Sequence, residues 1–299
     1  MTRLSEDDVR DLTARLGAFE RDLEAATGLT LRGLAQRTVD VDRAATGAER
    51  LARAAAPSPP GAERLALPAA PSPPASVPFA GARIAAVPVS SGEGFIPGFC
   101  ECVVAILRHL GCEAHVATLP DVRGLQEAAD GGDEVVFVAD DFRFVALNIR
   151  TGVCVDDDPA TADGYVTALE EAAGGLSGRP VLLLGLGPVG RAAGRRLTAL
   201  GAELVVVEPD DAAVTRAAEE GLAFSRVSLA DGLARCVLVV DAAPAADIVA
   251  AGDLLPGTIV AAPGVPPALD AGARAALGAR HIHEPLAVGV AVMAARALA

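Results

Sequence analysis

The stretch that most constrains this chain is "VLLLGLGPVGRAAGRRL", residues 181 to 197. An apolar run of strand length meets Gly185, Gly187 and Gly190 and passes at once into a helical pattern. Each glycine has a task there: a tight turn, close approach of backbone to a diphosphate, and close packing of helix on strand. Pro188 suits the first helical turn, where its missing N–H costs nothing. Roughly twenty residues on, "ELVVVEPDD" ends a second strand on Glu208, placed to accept from ribose hydroxyls. Strand, glycines, helix, strand and terminal acid in that order predict a Rossmann dinucleotide-binding domain. Gly185, Leu186, Gly187, Pro188, Val189, Gly190 and Glu208 are its expected cofactor contacts. The acids of "EPDD" repel a 2′-phosphate and no arginine stands immediately beside them, so NAD is expected rather than NADP. The strand ends "VVDAAPAADI" and "VAAPGVPPAL" offer Ala243, Pro244 and Pro263 as lining beneath a nicotinamide, although ordinary loop chemistry explains them about as well.

From residue 81 onward, short apolar runs near 83–89, 113–117, 134–139, 180–185, 203–208, 237–241, 258–261 and 280–284 alternate with helical stretches. That alternation predicts an α/β protein with parallel sheets between layers of helix. A substrate domain is expected over 81–178, the Rossmann domain over 179–285, and an apolar C-terminal helix over 286–299. The last helix either packs back on the body or forms a homodimer face. Ahead of them, Leu4, Val9, Leu12, Leu16, Phe19 and Leu23 recur at three- and four-residue spacing, so residues 4–27 read as an amphipathic helix inside an N-terminal unit, 1–40. "APSPPGAERLALPAAPSPPASVP" makes 41–80 a semi-extended linker, because its prolines deny both helix and central strand. A helix tethered in this way can act as a lid.

The formal charge of −14 argues against a nucleic-acid partner and suits a small cationic one. No stretch reaches the roughly 18 apolar residues of a membrane span, and the acidic start lacks a signal-peptide core, so a soluble cytoplasmic protein is expected. The 5 cysteines form neither a disulfide framework nor a paired CxxC pattern.

The chain contains no lysine; all 25 basic residues are arginine. This removes the Tyr–Lys pair of short-chain dehydrogenases and every other mechanism built on a catalytic lysine. There is one tyrosine, Tyr165, and of the 4 histidines His281 and His283 form an HxH without a third donor nearby, so no metal is expected. Carboxylates and hydroxyls remain. "VVFVADDFRF" ends a strand on Asp140 and Asp141, and "VPVSSGEGFIPGF" ends another on Ser90 and Ser91. Ligands of open α/β sheets collect at the carboxyl ends of strands, so both segments should meet in one cleft. A turn or helix cap explains either aspartate equally well. A cleft lined by carboxylates without basic catalysts suits a cationic amine.

Taken in order, "VPVSSGEGFIPGF", "LPDVRG", "VADDFRFVALN", "VLLLGLGPVG", "APGVPPAL" and "HEPLAVGVAVM" resemble the PylD family of NAD-dependent pyrrolysine synthases. The N-terminal "LSEDDVRDL" and "TGLTLRG" extend the likeness, while the proline-rich 41–80 segment departs from it. The resemblance implies oxidation of the terminal amine carbon of L-lysine-Nε-(3R)-methyl-D-ornithine, followed by cyclisation to pyrrolysine. It puts the family's active-site aspartate on Asp140, a lid leucine on Leu4, and cleft positions on Ser90, Ser91 and Asn148. Asp140 would bind the ammonium, help it lose its proton and stabilise the iminium that follows. Two other readings stay open: a dehydrogenase of another amino acid or opine-like amine, and an NAD-binding protein without catalysis.

Overall fold

In a computed structural model, residues 12–55, 76–91 and 97–299 are described. Two helices lead: α1 (Leu12–Thr27) and α2 (Leu31–Ala55). An α/β unit follows, built from β1 (Arg83–Val87), α3 (Phe99–His109), β2 (Glu113–Val116), α4 (Asp121–Gly131), β3 (Val135–Ala139), β4 (Phe144–Asn148) and β5 (Cys154–Asp156). The long α5 (Asp157–Ala173) crosses to a second unit. There β6 (Pro180–Leu184), α6 (Pro188–Ala199), β7 (Glu203–Val207), α7 (Asp211–Glu219), β8 (Ser225–Arg226), α8 (Leu229–Leu233), β9 (Leu238–Asp241), β10 (Ile259–Ala261), α9 (Ala271–Leu277) and β11 (His281–Ile282) precede the final α10 (Ala287–Leu298).

The second sheet has six strands in the order β11-β10-β9-β6-β7-β8, all parallel. Its strand order reverses between β6 and β9, the place where open α/β sheets leave a crevice. The first sheet, β2-β1-β3-β4-β5, departs from the all-parallel expectation. Only β1, β2 and β3 run parallel; β4 pairs antiparallel with β3, and β5 antiparallel with β4. The cause is a hairpin inside "VVFVADDFRFVALN": Asp140 N–H donates to Arg143 O at 2.9 Å, and the chain doubles back on itself.

The helix spacing of the N-terminus is realised in α1, whose Leu12, Leu16, Phe19 and Leu23 are buried. Each such side chain contributes on the order of 2 kcal/mol on burial, so this part of the helix is anchored in the core. A lid action would have to belong to the residues before Leu12, which lie outside the described residues together with Leu4. The expected linker is corrected at its start. Leu31, Leu34, Ala35 and Val39 keep a helical stripe buried, and α2 runs to Ala55 before the prolines begin. Asp42 of α2 binds Arg296 of α10 at 2.8 Å and Arg196 of α6 at 3.3 Å, and Arg296 also binds Asp163 of α5 at 2.6 Å. Ten of the twelve residues of α10 are buried, against α2, α3, α5 and β4, which leaves little apolar face for a second copy.

Candidate active site

Gly185 has φ +90°, a region that L side chains avoid, and this turns the chain out of β6. At Gly190 a Cβ would stand 2.2 Å from the carbonyl oxygen of Gly185, so only glycine lets α6 start this close to the strand. Gly187 and Pro188 are exposed, and a Cβ on Gly187 would meet nothing within 4 Å. The N-terminus of α6 therefore opens onto free space, as an anion-binding helix start requires. Leu186 is buried and Val189 half-buried beneath this turn.

Glu208 stands beside the turn: its Oε2 accepts the Leu186 N–H at 2.7 Å and its Oε1 the Asp210 N–H at 2.9 Å. The fold adds an arginine that sequence proximity did not reveal. Arg226, brought alongside by β8, donates to the Glu208 carbonyl at 3.0 Å and to Asp211 at 2.7 Å. With Pro209 O as a further acceptor at 3.2 Å, its guanidinium is committed to the protein. At the reversal point, buried Asp241 accepts from Ala243 N at 3.3 Å and Ala268 N at 2.7 Å, while its carbonyl accepts from Gly264 N at 2.7 Å. Burial pushes its carboxyl up to about 6. One side chain thus ties together the loops that carry Ala243, exposed Pro244 and buried Pro263.

At the first sheet, β1 and β3 are in register with Val87 opposite Val138, so the chain after β1 and Asp140 leave the same carboxyl edge. Ser90 is held there by Asp121 of "LPDVRG": its N–H and hydroxyl donate to the two carboxylate oxygens at 2.8 and 2.5 Å. Asp121 takes φ 57°, a conformation that Asp tolerates better than most side chains. Ser91 is exposed next to it. Asp140 Oδ1 accepts the N–H groups of Phe142 at 2.8 Å and Arg143 at 2.7 Å, closing the hairpin in place of a glycine turn. Those bonds hold its carboxyl below the usual carboxylate range. Asp140 is therefore an exposed, firmly ionised group, suited to face a cation and weak as a proton acceptor. Under this edge lies an apolar pocket of about 20 Å³, lined by Val87, Val89, Phe99, Phe137, Ala139 and Phe144.

Asn148 does not join them. It pairs with Val135 at the opposite end of β3, about 14 Å along the strand from Ala139. Its Nδ2 donates to Ala297 O at 2.8 Å and its Oδ1 accepts from Arg150 and Thr151 N–H at 3.0 Å. Both ends of the amide are thus occupied in fixing the next turn and α10. Tyr165 is likewise committed: its hydroxyl donates to Glu284 O at 2.6 Å and accepts the Glu284 N–H at 3.0 Å, and burial raises its pKa strongly. Among the described residues no group of three His, Cys, Asp or Glu side chains could hold a metal ion.

The sequence reading missed the acids that begin α5. Val145 pairs with Asp156, so α5 starts at the same edge as the Asp140 hairpin, and Arg143 of the hairpin binds Asp156 at 2.5 Å. Burial raises the carboxyl of Asp158, which Arg143 and Arg191 of α6 both pull back down. Asp158, in the first turn of α5, thus feels the charge of an arginine from the Asp140 hairpin and of one from the helix of the glycine turn. The signal was present as three consecutive acids in "VDDDPATADGY".

Residues 68–155 match the N-terminal domain of pyrrolysine biosynthesis protein PylD. Pyrrolysine synthase of Methanosarcina acetivorans is 29% identical over 71% of this chain and 80% of its own length. That of Methanosarcina barkeri is 28% identical over 71% of this chain and 79% of its own. Over these stretches the chain is similar to the PylD family. Its fold is also similar to that of quinate dehydrogenase from Corynebacterium glutamicum in complex with NAD, with a TM-score of 0.50 at 16% identity over 73% of this chain and 93% of that one. The PylD match on residues 68–155 contains the Ser90 loop and the Asp140 hairpin; the glycine turn lies beyond it.

Proposed function

We propose that the protein binds NAD at the Gly185–Gly190 turn and oxidises the terminal amine carbon of L-lysine-Nε-(3R)-methyl-D-ornithine at the Asp140 edge. The observation that carries this reading is α5, which starts beside the Asp140 hairpin and packs against α6, the helix of the glycine turn, in a chain similar to pyrrolysine synthases. NAD would supply the hydride acceptor. Glu208 would take the ribose hydroxyls, and the N–H groups at the start of α6 the diphosphate. A 2′-phosphate would meet the Glu208 carboxylate and an arginine already engaged by Asp211, which favours NAD over NADP.

Asp140 would hold the substrate ammonium; once that group has lost a proton to solvent, the amine carbon would give up its hydride and Asp140 would face the iminium left behind. Water adds to the iminium and ammonia leaves, giving an aldehyde. The α-amine then attacks it intramolecularly, where effective concentration is high, and the water taken up is released on imine formation. Ser90, fixed by Asp121, and Ser91 would border this site. The test follows NADH absorbance and product mass with NAD and this substrate. Oxidation of simpler diamines or amino acids but not of this compound would reject the substrate and leave a dehydrogenase of another amine. NAD binding without turnover of any amine would leave a binding protein.

A further inference from the structure

A second pocket, of about 250 Å³, opens between α1 and the turn from β11 to α10, and no step of the proposed reaction uses it. Arg15, Phe19 and Asp22 of α1 face His281, His283 and Glu284 across it. Its walls carry both signs of charge. Glu284 is 4% exposed; its Oε2 caps α10 by accepting the Leu286 and Ala287 N–H groups at 2.8 and 2.5 Å, and its Oε1 lies 3.8 Å from Arg15 Nη2. Arg15 and Glu284 thus set opposite charges side by side on the pocket wall, the complement of a ligand that carries both. Nε2 of His281 is buried without a hydrogen-bond partner, and burial lowers its ring to about 3, so a neutral imidazole borders the cavity. A buried polar atom of this kind wants a partner.

The pocket is also next door to the Asp140 edge. Cys102, in the first turn of α3, feels the charges of Glu284 and Arg15, while Phe99, Cys100 and Val103 of the same turn line the apolar pocket under Asp140. The first turn of α3 thus lines the apolar pocket, and α3 packs against α1, whose Arg15, Phe19 and Asp22 line the second one.

We propose that this pocket receives the α-ammonium and carboxylate at the far end of the amine substrate, with Arg15 and the His281 ring on the carboxylate and Glu284 and Asp22 on the ammonium. The proposal rests on the amine-oxidation reading and makes α1 a specificity element. The test compares Arg15→Met with wild type on the full substrate and on an analogue lacking only the lysine carboxylate. Arg15 is 41% exposed, so the variant should fold. Removing a charge-assisted hydrogen bond between Arg15 and the carboxylate should raise KM about ten- to a hundredfold with kcat little changed. Wild type should show the same rise with the analogue, Arg15→Met no additional rise, and Arg15→Lys partial recovery. Equal KM for both compounds in wild type, or an equal rise for both in Arg15→Met, would overturn it. If no amine is turned over, calorimetry with free L-lysine as probe separates the two ideas. Binding by wild type that Arg15→Met abolishes would support the pocket while rejecting the reaction, and no binding by wild type would reject the pocket.

Discussion

Asp140 performs two tasks that substitution can separate. Its Oδ1 closes the β3–β4 hairpin with two N–H bonds, and its charge is the proposed partner of the substrate cation. Asp140→Asn keeps an oxygen in place for the turn and removes the charge; Asp140→Ala removes both. Hydrogen bonds to a charged acceptor contribute about 1.5–3 kcal/mol when buried, and an exposed carboxylate such as this one about 1 kcal/mol each. Denaturant unfolding should therefore find Asp140→Ala less stable by about 2 kcal/mol and Asp140→Asn by about 1 kcal/mol or less. Turnover should behave differently. Loss of a charge aimed at the developing iminium costs on the order of 10²–10³ in kcat, and both variants should suffer it alike. The assay is NADH formation under saturating NAD, with NAD affinity measured separately. Wild-type kcat in Asp140→Asn, with the turn intact, would reduce Asp140 to a turn former.

Other outcomes follow from the same geometry. Gly190→Ala should abolish measurable NAD binding or destabilise the protein by more than 2 kcal/mol as an order of magnitude, because the new methyl group would meet the Gly185 carbonyl; unchanged NAD titration would refute the close approach. Burial raises the Asp157 carboxyl to about 7 from 3.8, so the native state keeps a proton that the unfolded chain has lost, and stability falls as pH rises across that interval. Asp157→Asn lacks this loss, and its unfolding free energy relative to wild type should be higher at pH 8 than at pH 5; a difference that ignores pH would remove the buried charge as its cause. Deleting residues 1–11 should lower turnover and leave the thermal midpoint within a few degrees, whereas deletion through Thr27 should unfold the chain by stripping Leu12, Leu16, Phe19 and Leu23 from the core; equal midpoints would refute the anchoring of α1.

What was legible in the sequence was local. Gly185 and Gly190 declare themselves because turn and close approach are set by neighbours a few residues away, and the five-residue parallel strands announce themselves as apolar runs. The β3–β4 hairpin was hidden because its turn carries no glycine or asparagine; an aspartate side chain supplies the missing acceptor, and "ADDFRF" therefore reads as a strand's end. The short β5 and β8 bury too little to leave a pattern, yet they deliver Asp156 and Arg226 to the two halves of the site. Asn148 misled for the opposite reason. Its place in a matching motif said that the position matters, and only the antiparallel register shows that what matters there is the hold on α10, at the far end of the sheet from the cleft. The separation of Asp140 from Asp141 has the same origin. Two backbone N–H groups fix Asp140, and this fixation keeps it charged at the carboxyl edge of the sheet, where the proposed reaction would need the partner of a cation.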